Sequence, residues 1–150
     1  MNDWRGHCIE AFARAETAAT ECLVTLAEVP ERGASISLPH LVGQRFEALH
    51  NAISAEGAFH EEGKGCLAAL IRLREHGSLR NALCHGTARV TIDRKSEWTV
   101  VLKLVTFRSK GLARETLALT EFEGEALRKD IWHAAQTLSS QLGNLRKKFA

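Results

Sequence analysis

A chain of 150 residues with 20 Lys and Arg against 18 Asp and Glu is the size of one domain with a full hydrophobic core. Its net charge of +2 excludes a protein held to a polyanion by bulk charge alone, and its two prolines and 45% apolar content exclude a disordered or low-complexity chain. No apolar run approaches membrane-spanning length, and "MNDWRGHCIEAF" carries an early acid and no apolar h-region, so neither a membrane span nor a secretory signal is expected. Cys8, Cys22, Cys66 and Cys84 form no C-x-x-C pair and are read as reduced, mostly buried thiols of a cytoplasmic chain.

From Trp4 to about Glu28, apolar residues recur at Trp4, Cys8, Phe12, Ala15, Ala19, Cys22 and Leu26, in steps of three and four that make one helical stripe. Pro30 and "ERGAS" end that helix. A second pattern starts after Pro39 and runs through Val42, Phe46, Leu49 and Ile53. A third starts near Lys64 and runs through Cys66, Leu67, Leu70, Ile71 and Leu73 towards Leu79 and Leu83. Gly77 interrupts it at a cost of about 1 kcal/mol relative to Ala, so a bend, or a restart with Ser78 as N-cap, is expected there.

After Gly86 the period changes from helical to alternating. "TARVTIDR" puts Val90 and Ile92 on one face, "KSE" suits a turn, and "WTVVLKLVTF" and "ETLALT" supply two more strands. The last segment opens on Thr120-Glu-Phe-Glu123, a capping box in which each side chain satisfies a backbone donor of the other residue. A long helix follows, with Leu127, Ile131, Ala134, Leu138, Leu142 and Leu145 on one side and a basic end, "RKKF", that suits its dipole. The expected fold is one domain over residues 1–150: mainly α, an antiparallel helical bundle with a small antiparallel β-hairpin or meander between the third and last helices.

Charge is unevenly spread. Residues 1–85 carry 8 Lys and Arg against 11 Asp and Glu, whereas residues 86–115 carry 7 against 3. The basic middle third either faces a phosphate backbone or is a solvated hairpin whose cations deter edge-to-edge pairing.

The segment that points most directly to chemistry is "HGSLRNALCHGT", His76–Thr87. An Arg followed by four residues and a His occurs three times, at Arg45–His50, Arg80–His85 and Arg128–His133, so spacing alone carries nothing. Only Arg80 is followed by Asn, and only His85 is followed by Gly at a helix-to-strand junction. On one helix Asn81 and His85 lie about 40° apart, but Arg80 lies about 140° round from His85. A single helix is therefore half of a site that a second copy could complete.

The stretch "LREHGSLRNALCHG", with its element order, resembles the motif segment of the HEPN superfamily (higher eukaryotes and prokaryotes nucleotide-binding), in which R-x(4–6)-H sits in a helical bundle. The resemblance implies a metal-independent endoribonuclease with no cofactor, acting as a homodimer whose motifs face each other. By that resemblance His85 is general acid or base, Arg80 binds the scissile phosphate, and Asn81 orients His85 or donates to the phosphate. It further implies an RNA substrate and a toxin of a toxin–antitoxin or defence system, with an antitoxin or other protein as partner. The second reading is a non-catalytic HEPN-like module for dimerisation or RNA binding. The plainest is structural: Asn81 capping backbone, His85 buried, Arg80 paired with Glu75. A Cys84 thiol nucleophile and a zinc site from His76, Cys84 and His85 with His60 or Cys66 lack an orienting acid and paired ligand spacing respectively.

Overall fold

In the computed structural model, which describes residues 2–150, the stripe that begins at Trp4 becomes the buried face of α1 (Asn2–Ala27). Trp4, Cys8, Phe12, Ala15, Ala19, Cys22 and Leu26 are all buried. The helix ends before Pro30. A short 3₁₀ turn, Arg32–Ser35, and an extended segment then fold back beside α1, so that Leu38 and Pro39 lie near Thr20 and Leu23. Arg45 fixes this return, donating to the carbonyl oxygens of Pro39 and His40 at 2.9 and 2.7 Å.

Helix α2 (Val42–Ile53) and helix α3 (His60–Glu75) form an antiparallel hairpin, closed so tightly that a Cβ on Gly63 would sit 2.4 Å from Ile53 Cγ2. The buried face of α3 is Cys66, Leu70 and Leu73; Ile71, expected on that stripe, is one step round the helix and 46% exposed. The third helical pattern is two helices. It breaks at His76, and α4 (Gly77–His85) restarts there. The N-cap is His76 rather than Ser78, and no side chain caps the new helix. The backbone bond from Arg80 N to His76 O, 2.9 Å, supplies the first turn instead.

The alternating segments form a three-stranded antiparallel meander, β1 (Thr87–Ile92), β2 (Trp98–Arg108) and β3 (Gly111–Thr120), in the order β1-β2-β3. Val90 pairs with Val100 and Ile92 with Trp98, so the expected face is right. It is covered along β2 and the end of β3 but not over β1: Val100, Leu102, Leu104 and Leu119 are buried, whereas Val90 and Ile92 are 38% and 71% exposed. The β1–β2 turn is held by the Asp93 carboxylate, which accepts from the amides of Lys95 and Glu97 at 2.8 and 3.0 Å. Strands β2 and β3 run past the end of β1, so residues from Leu104 to Glu115 form a projecting two-stranded arm.

The capping box opens α5 (Glu121–Lys147): Thr120 N donates to Glu123 Oε2 at 2.9 Å, and Glu123 N to Thr120 Oγ1 at 3.3 Å. Ile131, Ala134, Leu138, Leu142 and Leu145 are buried as the spacing predicts, each large side chain contributing about 1.5–3 kcal/mol by leaving water. Helix α5 lies antiparallel to α3, with Arg72 paired to Asp130 near one end and Lys148 bonded to the Glu62 carbonyl near the other. It runs parallel to α1, matching Trp4 with Gly124, Arg14 with Trp132 and Glu21 with Arg146. At Gly124 the packing is tight: its carbonyl accepts from Trp4 Nε1 at 2.6 Å, and a Cβ there would strike the Trp98 ring at 2.4 Å. No helix is long and apolar enough to cross a membrane.

Candidate functional site

Helix α4 is short, and its position is set by its two ends. At its start the chain continues from α3 through the bend at His76, whose Nε2 lies 3.0 Å from Asp130 Oδ2 on α5. The Arg72 guanidinium bonded to Asp130, with His76 beside it, holds that carboxyl below its ordinary range. At the other end Gly86 N donates to Ala82 O at 2.9 Å, and the chain turns straight into β1. A Cβ at Gly86 would lie 2.4 Å from Ala82 O and 3.1 Å from Lys103 O, so this junction has no room for a side chain.

Arg5, in the first turns of α1, donates Nε to Leu83 O at 2.8 Å, Nη2 to the same oxygen, and Nη2 to Gly86 O at 3.3 Å. These carbonyls at the end of α4 have no partner within the helix, and a cation is the favoured group at that pole. Arg5 thereby fixes the backbone that carries His85. Nothing in the sequence near Arg5 signals this, because its partners are 78 and 81 residues away.

The three candidate residues are separated as helix geometry requires. Arg80 turns towards α1, where its Nε donates to Glu16 Oε1 at 2.9 Å, with side chains only 25% and 16% exposed. The expected partner Glu75 is not the one used. Arg80 and Asn81 border a cleft of about 170 Å³ between α1, α2, α3 and α4, floored by Phe12, Phe46 and Leu73. Asn81 and His85 are exposed, so the buried, satisfied histidine of the plain reading is not what forms. His85 lies outside the residues that line the cleft. One chain thus brings Arg80 and Asn81 to one opening and leaves His85 on the surface beyond it.

The other two Arg–His spacings are structural. Arg45 spends three nitrogens on Pro39, His40 and Thr20, and Arg128 pairs with Glu125 at 2.8 Å. Arg80, like Arg128, is engaged only through its Nε among the described residues, but it alone of the three borders the cleft, with the outer edge of its guanidinium without a protein acceptor.

Three of the four thiols are buried in the core. Burial pushes Cys8 up to about 11 and Cys22 up to about 12, and raises Cys66, so these groups are un-ionised at neutral pH. All four cysteines are free, and Cys84 is the one partly exposed. Among the described residues no group of three or more His, Cys, Asp or Glu could hold a metal ion. Compared with known proteins, the chain matches no family model, no curated protein and no solved structure.

Proposed function

We propose that the chain is a HEPN-like, metal-independent endoribonuclease that works as a homodimer, with Arg80, Asn81 and His85 of each copy supplying half of a composite site. The observation that carries this reading is the arrangement on α4: a guanidinium tethered by one nitrogen at the mouth of a cleft, and an imidazole exposed one turn beyond Asn81. An always-charged planar fork suits a phosphate that gains charge, and imidazole suits proton transfer at a ribose 2′-OH or a leaving 5′-oxygen near neutral pH. The gap between Arg80 and His85 on one helix is bridged by a second α4 brought face to face. A toxin role, with an antitoxin or other protein as partner, belongs to the same proposal.

The test is cleavage of single-stranded and structured RNA in EDTA by the wild type, Arg80→Ala and His85→Ala, with the mass in solution measured alongside. The expected result is a dimer whose cleavage falls at least about 100-fold in each variant. Equal activity in all three, or a strict monomer that cleaves, removes the composite site.

One observation favours a second reading. The Glu16 carboxylate already neutralises Arg80, which suits a non-catalytic module for dimerisation or RNA binding. That reading predicts RNA or partner binding with no cleavage by the wild type.

A further inference from the structure

Among the outward-facing strand residues of the meander there are cations and no carboxylate. Because side chains alternate along a strand, Arg89, Lys103 and Arg114 all point away from the helices, and Glu115 points to the other face, where it pairs with Arg108. Their register is diagonal. Arg89 stands opposite Val101 on β2, Lys103 is two residues further along β2, and Arg114 stands opposite Val105, two residues further again. Strand spacing places neighbours on this diagonal about 8 Å apart, forming a line of positive charge across all three strands. Thr87 and Thr116 flank Lys103 on either side and add hydroxyls to the same line.

The line leads towards an aromatic ring. Phe107 is the next outward residue on β2 beyond Val105, and it is 91% exposed on the projecting arm. Its cross-strand neighbour Leu112 is half exposed and leaves the ring face open. A fully solvated Phe beside a carboxylate-free row of cations fits neither a dry core nor a simple charged edge. It matches the two needs of a single strand of nucleic acid: phosphates neutralised in sequence, and an unpaired base with a π-face to cover.

We propose that the outward face of β1-β2-β3 is a platform for single-stranded RNA, with Arg89, Lys103 and Arg114 taking successive phosphates and Phe107 stacking on a base. The choice of RNA rests on the function proposed above, but the platform itself uses none of Arg80, Asn81 or His85. Duplex RNA offers the same phosphates but no free base face, so single strands are preferred.

The test is fluorescence anisotropy with a labelled 12-nucleotide 2′-O-methyl oligouridylate, which lacks the hydroxyl that the proposed cleavage needs, from 50 to 200 mM salt, with a duplex of equal length and heparin as competitors. Wild type, R89A/K103A/R114A, F107A and H85A are compared, each with its melting temperature to confirm an intact fold. The triple variant is expected to lose at least tenfold in affinity and to flatten the log–log salt slope by about 2, the share of three released counterions. F107A is expected to weaken single-strand binding about tenfold without changing the slope. H85A is expected to bind like the wild type, and a wild type that binds RNA without cleaving it counts against the catalytic reading alone. The platform is overturned if wild type does not bind oligouridylate, or if the triple variant binds like wild type. It is overturned too if F107A is silent while duplex or heparin binds as well as the single strand, which would make this a general polyanion surface. A dimer that F107A dissolves with RNA affinity untouched would assign the face to a second copy instead.

Discussion

Gly86 and Arg5 show how a site can depend on residues with no chemistry of their own. Gly86→Ala forces a methyl group against Ala82 O and Lys103 O, both backbone atoms, so urea denaturation should show a loss of about 1–3 kcal/mol. Arg5→Ala leaves the carbonyls of Leu83 and Gly86 without their donor and should cost about 1.5 kcal/mol. Arg5→Lys should recover little of it, because an ammonium lacks the fork that reaches both oxygens. At this scale the sequence was half legible. Gly86 was visible where helix and strand periods meet, as was Asn81 beside Arg80. Arg5 and Glu16 were not, because the partner of a charged side chain is settled by which helix packs alongside, and nothing local specifies that.

Among the elements, α4 starts without a side-chain cap at its join to α3, whereas α5 starts on a full capping box. Gly77 begins α4, and a Cβ added there would meet nothing within 4 Å. Gly77→Ala should therefore stabilise the chain by about 1 kcal/mol, read as a higher urea midpoint with an unchanged slope. Thr120→Ala should cost about 1 kcal/mol by removing one half of the capping box. The capping box was plain from four residues because both partners lie within one turn. The N-cap at His76 was not: the restart follows from a bend between two packed helices, and tertiary packing overrode the preference of Ser78 for that role. The exposure of β1 was hidden for a related reason, since alternation reveals which residues share a face but not whether a helix reaches over it.

For the whole molecule, ion pairs between distant elements add a dependence on pH. Arg32 grips both oxygens of Glu62 at 2.9 and 2.8 Å, tying the turn after α1 to α3, and this hydrogen bonding lowers the Glu62 pKa. Asp130 is lowered likewise, through Arg72 first, and ties α5 to α3. A carboxyl depressed in the folded state adds stability above its unfolded pKa of about 4, and that contribution is lost as pH falls through the folded value. Urea midpoints should therefore hold between pH 7 and 5 and drop below about 4. E62Q and D130N should each start lower at neutral pH and flatten the acid limb. The element order and most of the core were legible from periodicity at this scale, but these cross-links were not, because their partners are 30 and 58 residues apart.

The parallel pairing of α1 with α5 has a consequence for how the chain reaches its fold. Helix α1 is matched along its length by α5, so the α1 surface around Trp4 and Ala11 stays uncovered until residues beyond Glu121 are available. The four-helix portion ahead of the sheet can collapse earlier, but it must carry a wet apolar flank while the meander is synthesised. Closure then requires contacts spanning some 120 residues, a loop whose entropy is lost before its packing is gained. Refolding should accordingly be slower than in bundles built from sequential helix pairs, and pulse-labelled hydrogen exchange should show α2 and α3 protected before α1 and α5.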